Sequence, residues 1–255
     1  MNIFIVFGSE SDQPVYGPLA EQLKLSADVE CQVISAHRNL PQLQEALTAF
    51  DGDYIIAGAG LAAALPGVAA SISDKPVFGV PVAAHYGGLD AVASILQMPY
   101  GKPVLTVAPG CEAEIGKFIN APVPDRKRMC IVVNASLAEE DFAIKEIART
   151  LSLAEECDYQ VTVHNEPAED ALNVIYTNSK DDMKPDAFAI HVPLIAPDDL
   201  KKPETLIEVF NWMQTGGLWM GTNNGRNAVL WADRLFHKEE GKNHDTVTTD
   251  LSRLG

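Results

Sequence analysis

From the first residue to about position 110, short runs of apolar residues alternate without a break with stretches whose apolar side chains recur at helical spacing. Ile3–Phe7, Val29–Ile34, Tyr54–Ala57, Pro76–Val82 and Pro103–Val107 read as strands, and Val15–Leu25, Leu40–Phe50, Ala62–Ile72 and Leu89–Gln97 as helices. Ile3–Phe7, Tyr54–Ala57 and Pro76–Val82 are apolar throughout rather than at every second residue, so both faces of the sheet at these strands must be covered. Strands alternating with helices build parallel βαβ units, which meet that demand. The pattern predicts an α/β fold, a flavodoxin-like three-layer αβα parallel sheet.

The glycine, serine and histidine clusters sit just after strand ends, the edge at which open α/β sheets bind ligands. Gly8-Ser9-Glu10-Ser11-Asp12 follows the first strand. Its hydroxyls and backbone N–H groups suit a phosphate or ribose, and Asp12 suits sugar hydroxyls; the same residues also make an ordinary helix N-cap. Ser35-Ala36-His37-Arg38 follows the second strand. Arg38 offers a planar fork for phosphate, and His37 a group that carries protons near neutral pH. Gly58 and Gly60 lie in the small-residue run 57–67 after the third strand, where the backbone can approach a ligand closely. Gly79-Val80-Pro81-Val82, Gly88-Leu89-Asp90 and Gln97-Met98-Pro99-Tyr100-Gly101-Lys102-Pro103-Val104 complete the series.

After a basic, proline-containing stretch at 120–128 the pattern restarts, with strands expected at Cys130–Asn134, Tyr159–Val163 and Ala187–Val192 and helices at Glu139–Leu153, Thr205–Met213 and Asn227–Phe236. Ser9 and His37 are 28 positions apart, as are Ser136 and His164. The restart reads as an internal duplication: a first domain at 1–120, a degenerate repeat without the glycine-rich loop at 129–240, and a polar tail at 241–255.

The 255 residues suffice for one large or two small domains. A net charge of −16 argues against a nucleic-acid partner, which needs clustered Lys and Arg. No apolar run reaches the roughly 20 residues of a membrane span, and no basic stretch precedes the first apolar run, so the expectation is a cytoplasmic protein without a membrane partner. The four cysteines show neither zinc nor disulfide spacing and read as reduced thiols.

The ordered series GSESD, SAHR, AGAGLAAALPG, GVPV and GLDAVASILQMPYGKPV over residues 1–108 resembles the N5-carboxyaminoimidazole ribonucleotide mutase (PurE) family. The segment Gly221–Leu235 is similar to that family's closing loop and helix, displaced here to the end of the second half. The resemblance implies an aminoimidazole ribonucleotide substrate, carbon dioxide as the transferred group, no metal or organic cofactor, and a homo-oligomer. An octamer of single units would become a tetramer of fused pairs. It assigns His37 as the general acid–base at ring carbon C4. Ser9, Ser11, Asp12, Ser35 and Arg38 would bind the ribose phosphate, and Gly58 and Gly60 would line the carboxylate pocket. The activity implied is carboxylate transfer from nitrogen to C4; direct carboxylation of the aminoimidazole ribonucleotide and a nucleotide-binding pseudoenzyme are the alternatives. One departure stands out: the mutase class carries a second histidine where this chain has Ala64. Either His85 takes over part of that role, or His85 is a surface-loop histidine and the activity is altered.

Overall fold

The computed structural model describes residues 1–122, 125–184 and 187–236, so the expected tail at 241–255 lies outside the described residues. The first sheet is parallel throughout, in the order β2-β1-β3-β4-β5, with β1 at Asn2–Phe7, β2 at Asp28–Val33, β3 at Tyr54–Ala59, β4 at Val77–Pro81 and β5 at Leu105–Thr106. The helices between them are α1 (Gln13–Leu23), α2 (Leu40–Ala49), α3 (Leu65–Ile72) and α4 (Leu89–Leu96). In β1, Ile3, Ile5 and Phe7 pack into one core cluster while Phe4 and Val6 pack into another. This is why the strand sequence is apolar at every position. Helix α3 starts three residues later than its composition suggests, because Ala62 sits at φ 49°, outside the right-handed helical region.

Two elements escape the sequence pattern. Helix α5 (Ala113–Asn120) buries Ile115, Phe118 and Ile119 at helical spacing, with the polar Glu114, Lys117 and Asn120 interleaved. In the second sheet a fully buried strand, Leu172–Thr177, is interrupted by a polar residue, Asn173. The Asn173 amide donates to the carbonyls of Ala168, Ala171 and Phe188 and accepts from the Ala168 N–H. Its polarity is satisfied locally, so burial costs little.

The second sheet is also parallel, in the order β7-β6-β8-β9, with β6 at Arg128–Val132, β7 at Gln160–His164, β8 at Leu172–Thr177 and β9 at Ala189–Pro193. That is the 2-1-3-4 order of the first sheet. Helices α6 (Asp141–Glu156), α7 (Pro203–Met213) and α8 (Gly225–Phe236) accompany it. Among the described residues no α-helix joins β7 to β8 or β8 to β9, and a short 3-10 turn, Lys180–Asp182, lies in the second connection. The 28-residue serine-to-histidine spacing does not mark equivalent places. Phe7 pairs with Val33, leaving His37 four residues past the ladder, whereas His164 is itself paired with Val132.

The two sheets meet at one residue pair. Thr106 N–H donates to the Trp219 carbonyl and Trp219 N–H donates to the Thr106 carbonyl, both at 2.8 Å. The pair is antiparallel, and Trp219 also bridges in parallel to His191 of β9. A reciprocal antiparallel pair is two-fold symmetric at its centre. The strands of the second sheet therefore run opposite to those of the first, and the carboxyl edge of one lies on the same side as the amino edge of the other. Helix α8 closes the arrangement: Trp231 Nε1 donates to the Val77 carbonyl at 2.9 Å, and its ring packs edge-on against Phe78 and Phe118.

His191 lies at this junction, 1% exposed, with Nδ1 3.3 Å from the Leu218 carbonyl and Nε2 facing the Lys184 N–H at 3.4 Å. Burial lowers its imidazole to about 4, against a smaller upward pull from the Leu218 carbonyl. Below about pH 6.5 the unfolded chain binds a proton here that the folded chain refuses, so stability falls as pH drops from there toward 4. Urea unfolding across that window should show a loss of roughly 3 kcal/mol from this group. In His191→Gln that component should disappear, leaving a flatter profile; an unchanged profile would place the acid sensitivity elsewhere.

Candidate active site

Strand β1 lies between β2 and β3, and β3 is followed by β4, so the loops after these four strands share the carboxyl edge of the first sheet. Backbone bonds seat them there: Gly8 N–H donates to Gly58 O at 3.1 Å, Ile34 N–H to Phe7 O at 2.9 Å, and Val82 N–H to Ala59 O at 3.0 Å. Ser9, Ser11, Asp12, Ser35, His37, Arg38, Gly58 and Gly60 are thereby gathered along one edge, as the motif series predicts.

The first loop is both an N-cap and a polar surface. Ser9 takes the cap position of a short turn; its Oγ accepts from Ser11 N–H at 3.3 Å and lies 2.8 Å from Ser11 Oγ. Ser11 Oγ in turn donates to Asp12 Oδ1 at 3.3 Å. Asp12 is buried, and burial pushes its carboxyl above the usual range, partly offset by the hydrogen bonds from Ser11 and Ser9. Ser35 is half-buried and its carbonyl accepts from Asn39 N–H at 2.8 Å, closing a turn that presents His37 and Arg38 to solvent. A cation and a proton carrier thus stand one strand away from the Ser9–Asp12 turn.

The two glycines differ. Gly58 is inside β3, and a Cβ there would come 2.1 Å from Cε1 of Phe7. Its lack of a side chain is required by the Phe7 ring before any ligand is considered. Gly60 is beyond the strand, where a Cβ would meet Ala84 at 3.1 Å, so it brings the third and fourth loops into contact. Ala64 is exposed at the start of α3. His85 is exposed on the fourth loop, as a surface-loop histidine would be, with its ring edge-on to Tyr86 at 6.2 Å. Tyr86, absent from the sequence-based assignment, is 82% exposed and holds φ 48°. The Tyr-Gly-Gly run was the available signal.

One expected member of this edge lies elsewhere. The stretch 97–103 precedes β5, so it occupies the opposite, amino edge. There it meets the first turn of α8 and Asn224 just before it. Asn227 accepts from Gly101 N–H and donates to the Pro99 carbonyl, both at 3.0 Å, and Asn224 donates to the Met98 carbonyl at 3.2 Å. Arg226 lies over the Tyr100 ring at 4.2 Å.

The carboxyl edge of the second sheet is chemically different. Where the first sheet has the Ser9 turn and Gly60, the second has Asn134 after β6 and Asp182 after β8. Asp182 accepts from Asn134 Nδ2 at 2.8 Å, from the N–H groups of Asn178 and Ser179 at 3.0 and 3.1 Å, and from Ser179 Oγ at 3.3 Å. Internal groups use up the donors that an anionic ligand would need. Among the described residues, no group of three or more His, Cys, Asp or Glu converges as metal ligands do, and no helix is long and apolar enough to cross a membrane.

A family model described as AIR carboxylase matches residues 2–121. Relatives named N5-carboxyaminoimidazole ribonucleotide mutase are found in Methanocaldococcus jannaschii (47% identical over 106 residues, 41% of this chain and 68% of that one), Pyrococcus abyssi (49% over 108 residues, 40% and 62%) and Mycobacterium tuberculosis (36% over 165 residues, 58% and 92%). The matched stretch thus spans about two thirds of the length of the first two and nearly all of the third.

Because the Phe7 ring occupies the space beside Gly58, Gly58→Ala should destabilise the fold by about 1–3 kcal/mol, the range for overpacking. Adding Phe7→Leu should recover part of that loss in a double-mutant cycle read by urea unfolding. Additive losses would show that the ring does not impose the glycine.

Proposed function

Because the chain belongs to the AIR carboxylase/N5-carboxyaminoimidazole ribonucleotide mutase family, we propose that it converts N5-carboxyaminoimidazole ribonucleotide to 4-carboxy-5-aminoimidazole ribonucleotide at the carboxyl edge of its first sheet. The observation that carries the proposal is the adjacency of the Ser9–Asp12 turn to the His37–Arg38 turn across the β1–β2 ladder. In this reading Ser9, Ser11, Asp12, Ser35 and Arg38 hold the ribose phosphate, and the backbone at Gly58 and Gly60 lines the carboxylate pocket.

The chemistry needs only a positioned proton carrier and a confined reactant. The bond between nitrogen and the carboxylate carbon breaks, its electron pair stays on nitrogen, and nitrogen takes up a proton from protonated His37. Ring C4 then bonds to the retained carbon dioxide, and His37 takes the proton that C4 gives up. Proton and carboxylate exchange places, and nothing is oxidised or reduced. The site contributes by orienting the ring and keeping carbon dioxide in place.

Direct carboxylation of the aminoimidazole ribonucleotide is the second reading, favoured by Ala64 standing where the resemblance calls for a histidine. Purified protein should convert the N-carboxylated ribonucleotide without bicarbonate, and should be slow on the uncarboxylated one even with it. The reverse preference would support the second reading, and turnover of neither would leave a binding protein. His37→Asn should abolish turnover while ribonucleotide still binds; wild-type turnover would remove His37 from the chemistry. Arg38→Ala should weaken ribonucleotide binding by about 1.5–3 kcal/mol in calorimetry.

We also propose that 129–240 is a degenerate copy of 1–120, supported by the shared strand order and the reciprocal Thr106–Trp219 pair. Each chain then stands for two units of the family's assembly. Light scattering should give a homotetramer of about 110 kDa, four times the 27.5 kDa chain; a stable 27.5 kDa monomer would contradict this.

A further inference from the structure

Tyr86 is out of place by every stability criterion. A tyrosine ring brings a large apolar area that folding normally buries, yet this one is 82% exposed. Its φ of 48° lies in the left-handed region that bulky side chains avoid, and it opens a run of three such residues with Gly87 at 66° and Gly88 at 87°. Strain of this kind, unrewarded by packing, marks positions held for function. A glycine here would cost the fold nothing in contacts.

The loop that carries Tyr86 belongs to the proposed site edge. It follows β4, is bonded to the third loop through Val82 N–H and Ala59 O at 3.0 Å, and touches the Gly60 turn at Ala84. The third loop has its own left-handed non-glycine residue, Ala62 at φ 49°. With strands about 4.8 Å apart, the fourth loop lies roughly 10 Å along the edge from the Ser9 turn after β1. A nucleotide whose phosphate is gripped at the β1 and β2 loops, with its ribose lying across β1 and β3, places its heterocycle beneath the fourth loop. The ring of His85, edge-on to Tyr86 at 6.2 Å, flanks the same space.

We propose that Tyr86 is an aromatic lid whose ring stacks on the aminoimidazole ring of the bound ribonucleotide, a substrate-positioning role that deepens the functional reading above and rests on it. The face of the ring, not its hydroxyl, makes the contact. The left-handed backbone holds that ring out over the edge before substrate arrives, which reduces the conformational entropy lost on binding.

Calorimetry with two ligands tests this: 5-aminoimidazole ribonucleotide, which has the heterocycle, and ribose 5-phosphate, which lacks it. Tyr86→Ala should lose on the order of tenfold in affinity for the ribonucleotide, within the range for base–aromatic stacking, and should bind ribose 5-phosphate as the wild type does. Tyr86→Phe keeps the stacking face and should stay within about twofold of the wild type for both ligands. Tyr86→Gly serves as the fold control: it should melt no lower than the wild type, because the backbone strain is relieved, and still lose the ribonucleotide affinity. Unchanged ribonucleotide affinity in Tyr86→Ala overturns the proposal. So does an equal loss for both ligands, which would place Tyr86 at the phosphate or in the fold. A fall in assembly mass for Tyr86→Ala also overturns it, by making the residue a contact between copies of the chain. If the wild type binds neither ligand, the functional reading itself fails; if it binds the ribonucleotide and only the Tyr86→Ala effect is missing, the functional reading stands and the lid alone falls.

Discussion

Two backbone hydrogen bonds between Thr106 and Trp219 hold the whole arrangement in register. Strand β5 contributes only Leu105 and Thr106 to its ladder, and Trp219 contributes a single bridge to β9. Alone, each would be a short, unpaired sheet edge, a template for unwanted pairing. Paired, both residues are completely buried and each edge covers the other. Because the pair is antiparallel, it fixes which segments face each other: the stretch 97–103 from the first sheet against Asn224 and the first turn of α8 from the second. It also brings α8 over β4, where Trp231 fills the space between Phe78 and Phe118. Trp231 bonds to the Val77 carbonyl and Asn227 to the 99–101 backbone, so a helix late in the chain completes the packing of an early sheet.

The two carboxyl edges use their polar groups differently. At the first, the Ser9 turn is capped locally, and His37 and Arg38 stand in solvent beside it. At the second, Asp182 takes four donors from the surrounding loops, including two backbone N–H groups and the Asn134 amide. A carboxylate already satisfied by its own chain leaves no reason for an external phosphate to bind. Desolvating that phosphate beside a fixed negative charge would also be costly. Both sheets share a strand order, but chemistry at the edge follows the loop residues.

Much of this was written in the sequence, for physical reasons that also explain the gaps. The first sheet was legible because its inner strands β1, β3 and β4 are covered on both faces and are apolar along almost their whole length. The edge that gathers the candidate residues was legible because polar and glycine clusters stop those runs at the same end of each strand. Strand β8 was hidden by Asn173, whose polarity is cancelled by neighbours that no local pattern reveals. Gly58 reads as a pocket glycine, and the Phe7 ring adds a packing demand for glycine there that no local pattern reveals. The stretch 97–103 looked like one more ligand loop because sequence order does not say whether a turn enters or leaves a strand at the site edge. The matched serine-to-histidine spacing was coincidental in register, and the ladder of β6 with β7 exposes that at once. Tyr86 passed unnoticed because backbone strain has no signature in composition.

On the proposed reading the chain carries one competent ribonucleotide site, on its first sheet, and none on the second. The most direct measurement is the number of sites in a calorimetric titration of the intact protein with 5-aminoimidazole ribonucleotide. One molecule bound per 27.5 kDa chain is the expected result. Two per chain would show that the Asp182 edge also binds, and binding that survives loss of both Ser9 and Arg38 would show that the single site is not where the first sheet presents it.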